Sequence, residues 1–399
     1  MSVTAKDVIL IGRLAEPPMR AALGLGEGRP VTVPGRLRGG ALAGIAAGGW
    51  PVLDAAAPGQ VEGYAVAGNA ALDRYAAIMG LTPVRTPQGA LIQGVALQGV
   101  VPGSAEANQP ADAQGGTLGP EADTALAAAI AADLLALPFD RDPAPLRARL
   151  PMMAVWAASR RRGRSGTSLA AAAGPTQQAG APRVQIAARD QIYADYFSVE
   201  KLRLSHRLHD NGNGALRWSP PLDREVFVSG DAVVVLPWDA RRDRVLVLDQ
   251  FRPGPAARDD PAAWLLEPVA GRIDVGETPE ASALREAIEE AGVTLDRLIA
   301  VPGHYPSPGI VAEYLYGFIG LADLPDDSAG LGGLETEGED IRGRLMSRAE
   351  LTRLALTGGI RNGPLMILAL WLDRMAGTLV PDGPVDGTSG PAPHAAAKT

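Results

Sequence analysis

Residues 271–293 read GRIDVGETPEASALREAIEEAGV, and no other stretch restricts the fold as tightly. Thr278 is a good N-cap, Pro279 suits the first helical position, and Gly292 suits the left-handed residue that follows a helix. The spacing predicts a turn, then a helix over 279–291. Ala281, Leu284, Ile288 and Ala291 recur at helical spacing, as the apolar stripe of an amphipathic helix does. Glu286, Glu289 and Glu290 fall on the opposite side. Like charges at i, i+4 cost a few tenths of a kcal/mol each, and a merely solvated face alternates with lysine. A bound cation accounts for the crowding. Carboxylates and backbone carbonyls are hard oxygen ligands that suit Mg²⁺ or Mn²⁺.

The chain around this helix has 399 residues, enough for two domains with a linker and a tail. Its net charge of −8 argues against nucleic acid as the main partner. The basic run Arg160–Arg164 sits among Ser, Gly and Ala and reads as solvated linker. The absence of cysteine excludes disulfides, thiolate zinc sites and cysteine nucleophiles. The N-terminal apolar run is too short for a signal peptide, and no stretch has the length of a membrane span. A cytoplasmic protein with no membrane partner is expected.

Along the chain, a strand is expected at 8–12, short strands at 30–37, 50–54 and 60–67, a helix at 69–80 and a hairpin at 84–97. This is a small α+β domain, taken as 1–118. Residues 119–184 read as a helix at 120–137 followed by flexible linker, with one further helix around Trp156. A second domain spans 185–376. In it 224–239, 244–252 and 312–322 are strand patterns and 363–376 is a closing helix. Residues 377–399 are rich in Pro, Gly and Ala and read as a disordered tail.

The stretch at 271–293 resembles the Nudix box, through Gly271, Glu277, Arg285, Glu286, Ala287, Glu289, Glu290, Gly292 and Val293; only Ala287 is a weak match. The resemblance implies an α/β/α sandwich with a mixed sheet that cleaves nucleoside diphosphate derivatives with Mg²⁺. It implies that Glu286, Glu289, Glu290 and the Ala270 carbonyl hold the metal, with Gly271 letting that carbonyl approach, and that Glu277 and Arg285 form a bracing ion pair.

Flanking residues resemble the ADP-ribose pyrophosphatases. They are Pro308 in YPSPG, Arg224 and Glu225 in REVFVSGD, Arg252 in DQFRPG, and the acidic loop ETEGEDI. By that resemblance Arg224, Glu225, Arg252 and Pro308 serve the substrate. Glu337 is the general base, with Glu339 as the fallback. The alternative for both arginines is surface ion pairing, and for the loop a plain solvated turn. Such enzymes are often homodimers.

The first domain resembles the γ-glutamylcyclotransferase-like (AIG2-like) fold, a small barrel-like α+β domain. Ile11 replaces that family's tyrosine and Ala76 its glutamate, so the domain is expected to be non-catalytic. The two-domain order resembles tellurite-resistance proteins. The expected reaction is hydrolysis of ADP-ribose to AMP and ribose 5-phosphate. The alternatives are other nucleoside diphosphate sugars or dinucleotides, or a non-catalytic ADP-ribose sensor.

Overall fold

A computed structural model describes residues 7–46, 49–85, 91–94, 120–137, 141–165, 183–209, 217–334 and 338–379. The apolar run after Lys6 forms β1 (Asp7–Ile11), followed by α1 (Pro17–Ala22), β2 (Arg29–Pro34), β3 (Arg36–Arg38), β4 (Val52–Asp54) and β5 (Gln60–Ala67). Helix α2 (Ala70–Met79) starts where the Asn69 side chain accepts the Leu72 N–H at 2.8 Å, and it ends at Gly80 with φ of 71°. Strands β6 (Val84–Arg85) and β7 (Leu91–Gln93) pair antiparallel. The turn expected between them, at 86–90, lies outside the described residues, as do 95–119. The first sheet runs β2-β5-β1-β7-β6, with β1 and β7 parallel.

The chain continues as α3 (Pro120–Ala136), α4 (Pro143–Ala148), α5 (Leu150–Ser165), β8 (Val184–Ala194), β9 (Ser198–His206) and β10 (Leu222–Val228). Next come β11 (Ala232–Asp239), β12 (Arg244–Phe251), α6 (Pro253–Ala257), β13 (Trp264–Glu267), β14 (Val269–Arg272) and α7 (Pro279–Ala291). The remaining elements are β15 (Arg297–His304), β16 (Val311–Ala312), β17 (Leu315–Leu321), β18 (Leu331–Gly332), β19 (Ile341–Ser347), α8 (Arg348–Thr357) and α9 (Gly363–Leu379). One sheet has the order β16-β10-β9-β8. Another runs β15-β17-β11-β12-β19-β18, with β13 on β12 and β14 on β11. The run expected as one strand over 224–239 is two strands in two different sheets. Gly230, with φ of 94°, turns the chain between them.

Two compact units emerge, and neither is a single stretch of chain. One holds Met1–Val234, Ala270–Arg285 and Pro302–Gly317; the other holds Val235–Val269, Glu286–Val301 and Phe318–Thr399. The core of the first unit joins Leu10 of β1, Tyr75 and Ile78 of α2, Leu126, Ile130 and Leu134 of α3, Met153 and Trp156 of α5, and Val228 of β10.

That core corrects the reading of 143–165 as mostly linker and of Arg160 and Arg162 as solvated, while the helix expected around Trp156 is there, and Arg164 is exposed. Residues 143–165 are two helices, and Trp156 is 1% exposed within the cluster. Arg160 pairs with Asp133 of α3 and Glu200 of β9, and Arg162 reaches Asp231 at 2.7 Å. Burial pushes the Asp133 carboxyl above its usual range, against the pull of Arg160. The misreading has a physical source. Alanine and arginine carry a weak apolar period, yet small alanines pack closely and arginine stems bury while their heads find acids. Residues 166–182 and 380–399 lie outside the described residues. Helix α9 carries order to Leu379, beyond the expected boundary at 376.

If 143–165 belongs to the core, Trp156→Ala lowers stability by about 3–5 kcal/mol. Denaturant unfolding followed by circular dichroism checks this; a free linker would leave the midpoint unchanged.

Candidate functional site

Helix α7 forms as its sequence dictates. The Thr278 hydroxyl accepts the Ala281 N–H at 3.2 Å, and Pro279 opens the first turn. At the far end Gly292 has φ of 64°, and the Val293 N–H returns to the Ala287 carbonyl at 3.0 Å. The way the helix is rolled, however, differs from expectation. Ser282, Ala283 and Ala287 are fully buried, together with Glu286 and Glu290 at 9% and 3% exposure. Leu284 and Ile288, the expected inner stripe, are exposed at 41% and 57%. Two Ala and one Ser let the helix backbone approach closely, so the acids on that side go in and the long aliphatics go out.

The loop before the helix is braced as expected. Arg285 holds Glu277 in a fork, Nε to Oε1 at 2.9 Å and Nη2 to Oε2 at 3.0 Å. Nη2 also donates to the Arg272 carbonyl at 3.2 Å, and Glu277 accepts the Asp274 N–H at 3.2 Å. Burial raises the Glu277 carboxyl, but the hydrogen bond and charge of Arg285 outweigh it and leave the pKa below the usual value.

The second unit surrounds Glu289 and Glu290. Gly333 N–H donates to the Glu289 carbonyl at 3.3 Å. A Cβ at Gly332 would stand 2.0 Å from the Glu290 carbonyl oxygen, so only glycine lets β18 lie against the last turn of α7. A cavity of about 510 Å³ opens beside Glu290, lined among others by Gly292, Asp296, Asp323, Asp327 and Leu331.

Arg252, just after β12, donates through Nε and Nη2 to Glu267 Oε2, both at 2.7 Å. Glu267 is 4% exposed; its Oε1 accepts Asn362 Nδ2 at 3.0 Å and its Oε2 accepts Gln250 Nε2 at 3.3 Å. Desolvation lowers the Arg252 pKa. The bond and charge of Glu267, then the charges of Glu290 and Glu339, outweigh it and hold the guanidinium above its usual value. Glu339 accepts the Leu334 N–H at 3.1 Å. Glu337 lies outside the described residues.

The remaining expected residues belong to the first unit. Arg224 and Glu225 are exposed on β10, where Arg224 donates to the Asp223 carbonyl at 2.7 Å. Ala270 and Gly271 are half-buried on β14, and Pro308 is exposed in a turn closed by Ile310 N–H to the Ser307 carbonyl. Glu267, Gln250 and Asn362 escaped the sequence reading. The available signal was an acid closing the apolar strand WLLE and an Asn opening the last helix, both ordinary features on their own.

Among the described residues no three acidic or histidine side chains form a ready metal cage. The acids of α7 stand instead as a row at i, i+3 and i+4. Their donors are all carboxylate oxygens, which fit a hard divalent cation and not a soft one.

A family model described as the NUDIX domain matches residues 228–366. An ADP-ribose pyrophosphatase of Escherichia coli (strain K12) is 40% identical over 190 residues, 47% of this chain and 87% of that protein. The chain belongs to the Nudix hydrolases. A GDP-mannose pyrophosphatase of Escherichia coli O139:H28 is 31% identical over 185 residues, 46% of this chain and 92% of its own length. A crystal structure of an ADP compounds hydrolase covers 50% of this Nudix chain and 98% of its own, at 18% identity and a TM-score of 0.37, too weak a likeness to bear on the fold. Among the described residues no helix is long and apolar enough to cross a membrane. The γ-glutamylcyclotransferase-like resemblance of the first domain has no counterpart among these relatives.

The brace carries its own pH signature. The Glu277 pKa is depressed in the folded state, so its stabilisation is complete above the unfolded value, about 4.3, and fades as pH falls through the folded one. The stability gap between native protein and Glu277→Gln is therefore largest near neutral pH. It shrinks below about pH 4, measured by urea unfolding across pH; a gap constant with pH excludes the charged brace.

Proposed function

We propose that this Nudix hydrolase cleaves the pyrophosphate bond of ADP-ribose to give AMP and ribose 5-phosphate, with Mg²⁺ as cofactor and Mn²⁺ as a substitute. The observation that carries the reading is the roll of α7, which buries Glu286 and Glu290 and leaves Leu284 and Ile288 in water. Apolar burial alone favours the reverse arrangement, and a row of inward carboxylate oxygens suits a hard divalent cation. The 40% identity to an ADP-ribose pyrophosphatase supports the choice of substrate.

In this reading Glu286, Glu289, Glu290 and the Ala270 carbonyl hold the cation. When bound, it neutralises the pyrophosphate and lowers the pKa of a water. The protein residues do the rest. Glu277 and Arg285 fix the loop that presents Ala270 and Gly271. Arg252 contacts a phosphate or ribose oxygen of the substrate. Arg224, Glu225 and Pro308 shape the substrate site. Glu337 takes the proton from the attacking water; Glu339, occupied with the Leu334 N–H, is the weaker candidate.

Residues 1–118 serve geometry or binding without catalysis. Ile11 and Ala76 are buried apolar residues and offer no acid at those positions. The reading includes a homodimer, supported by the exposed apolar side chains Ile186, Ile192 and Tyr193 on strand β8 at a sheet edge. The likeness to a GDP-mannose pyrophosphatase favours a second reading, a nucleoside diphosphate sugar as substrate.

Purified protein with Mg²⁺ is expected to convert ADP-ribose to AMP, read by chromatography. Glu286→Gln abolishes turnover, and Glu337→Gln lowers kcat by about 10²–10⁴-fold. Protein that leaves ADP-ribose intact but cleaves GDP-mannose moves the assignment to the second reading.

A further inference from the structure

Helix α5 lies outside residues 228–366, the part matched by the Nudix domain model, yet its side chains reach the turn and strand that lead into the box. The route starts at Asp231, 4% exposed and just before β11. Both of its carboxylate oxygens are held from α5. Ser159 Oγ donates to Oδ1 at 2.6 Å, and Arg162 Nε donates to Oδ2 at 2.7 Å. A buried carboxylate needs such donors. Gly230 lets the helix come this close, since a Cβ there would stand 2.7 Å from Val155 Cγ1 of α5.

The main chain of Asp231 carries the hold onward. Its carbonyl accepts the Ile273 N–H at 3.1 Å, and Ile273 is fully buried. One residue earlier, the Arg272 guanidinium carbon sits 4.6 Å from the Tyr196 ring centre, and Nη1 sits 3.6 Å from the Met152 sulfur of α5. The Arg272 carbonyl serves the box instead, accepting Arg285 Nη2 at 3.2 Å and Ser282 Oγ at 3.3 Å. Glu277, gripped by Arg285, accepts the Asp274 N–H. Residues 272–277 are thus fixed both by the brace within the box and by Asp231 with α5.

We propose that Asp231 is a positioning residue for the loop of the Nudix box, and that α5, through Ser159 and Arg162, sets how firmly that loop is held. The inference rests on the reading of this loop as the one that presents Ala270 and Gly271 to the cation. Asp231 is assigned no contact with substrate or metal, since its effect passes through the Ile273 amide. Because α5 shares its core with α2 and α3, residues ahead of the Nudix domain act on turnover without chemistry of their own.

The test combines hydrogen exchange of the full chain, read by mass spectrometry on peptides covering 270–280, with steady-state turnover of ADP-ribose at saturating Mg²⁺. Arg162→Ala is expected to speed exchange in those peptides about 10-fold. It is expected to lower kcat about 10–100-fold, with KM changed less than about twofold. Arg162→Lys, which keeps a charged donor, restores part of both. Arg164→Ala, at an exposed position of the same helix, changes neither. A thermal unfolding midpoint for each variant reports folding. If Arg162→Ala does not fold, Ser159→Ala is expected to move both readouts in the same direction. Native-like exchange over 270–280 overturns the hold by α5. Faster exchange with native kcat overturns its bearing on turnover, as does an equal loss in Arg164→Ala. A chain that leaves ADP-ribose intact while the exchange order holds overturns only the substrate assignment, and kcat is then read with GDP-mannose. A chain that cleaves neither overturns the catalytic reading and the claim on turnover together.

Discussion

The burial of Glu286 and Glu290 on the underside of α7 is the constraint to which the surrounding structure conforms. Two acids one turn apart repel, and both lose hydration when the helix settles. The helix accepts this because Ser282, Ala283 and Ala287 are too small to hold it away. Gly332 continues the same logic, since its lack of a side chain admits β18 to the carbonyl of Glu290. Close approach is achieved with small residues, and the charge is brought in with it.

Around that row the other charges are sorted by fixed hydrogen bonds. Arg285 is committed to Glu277 and the Arg272 carbonyl, and so stiffens the loop. Arg252 is committed to Glu267, which Asn362 and Gln250 hold in place. Each arginine is thus paired with a buried or half-buried carboxylate.

The first unit follows a different rule. Its core gathers alanines, aliphatic side chains and the rings of Trp50, Tyr75 and Trp156, and α3 and α5 supply much of it through Leu126, Ile130, Leu134, Met153 and Trp156. Arg160 and Arg162 carry charge into that region only against Asp133, Glu200 and Asp231. A stretch that reads as spacer is therefore a structural member.

The sequence by itself determined the bounds of α7, its caps at Thr278 and Gly292, the brace between Glu277 and Arg285, and the family. These are local, and caps and fixed spacings act within a turn or two of the chain. It also supplied β1, α2 and the closing helix, where periodicity is strong. Only the tertiary structure decided which side of α7 faces inward. Periodicity ranks faces by apolarity, whereas packing ranks them also by how closely the backbone can approach. The same holds for Glu267, Gln250 and Asn362, which lie as much as 112 residues apart in sequence. None is unusual in its own segment, and their meaning exists only once β12, β13 and the start of α9 bring their side chains together.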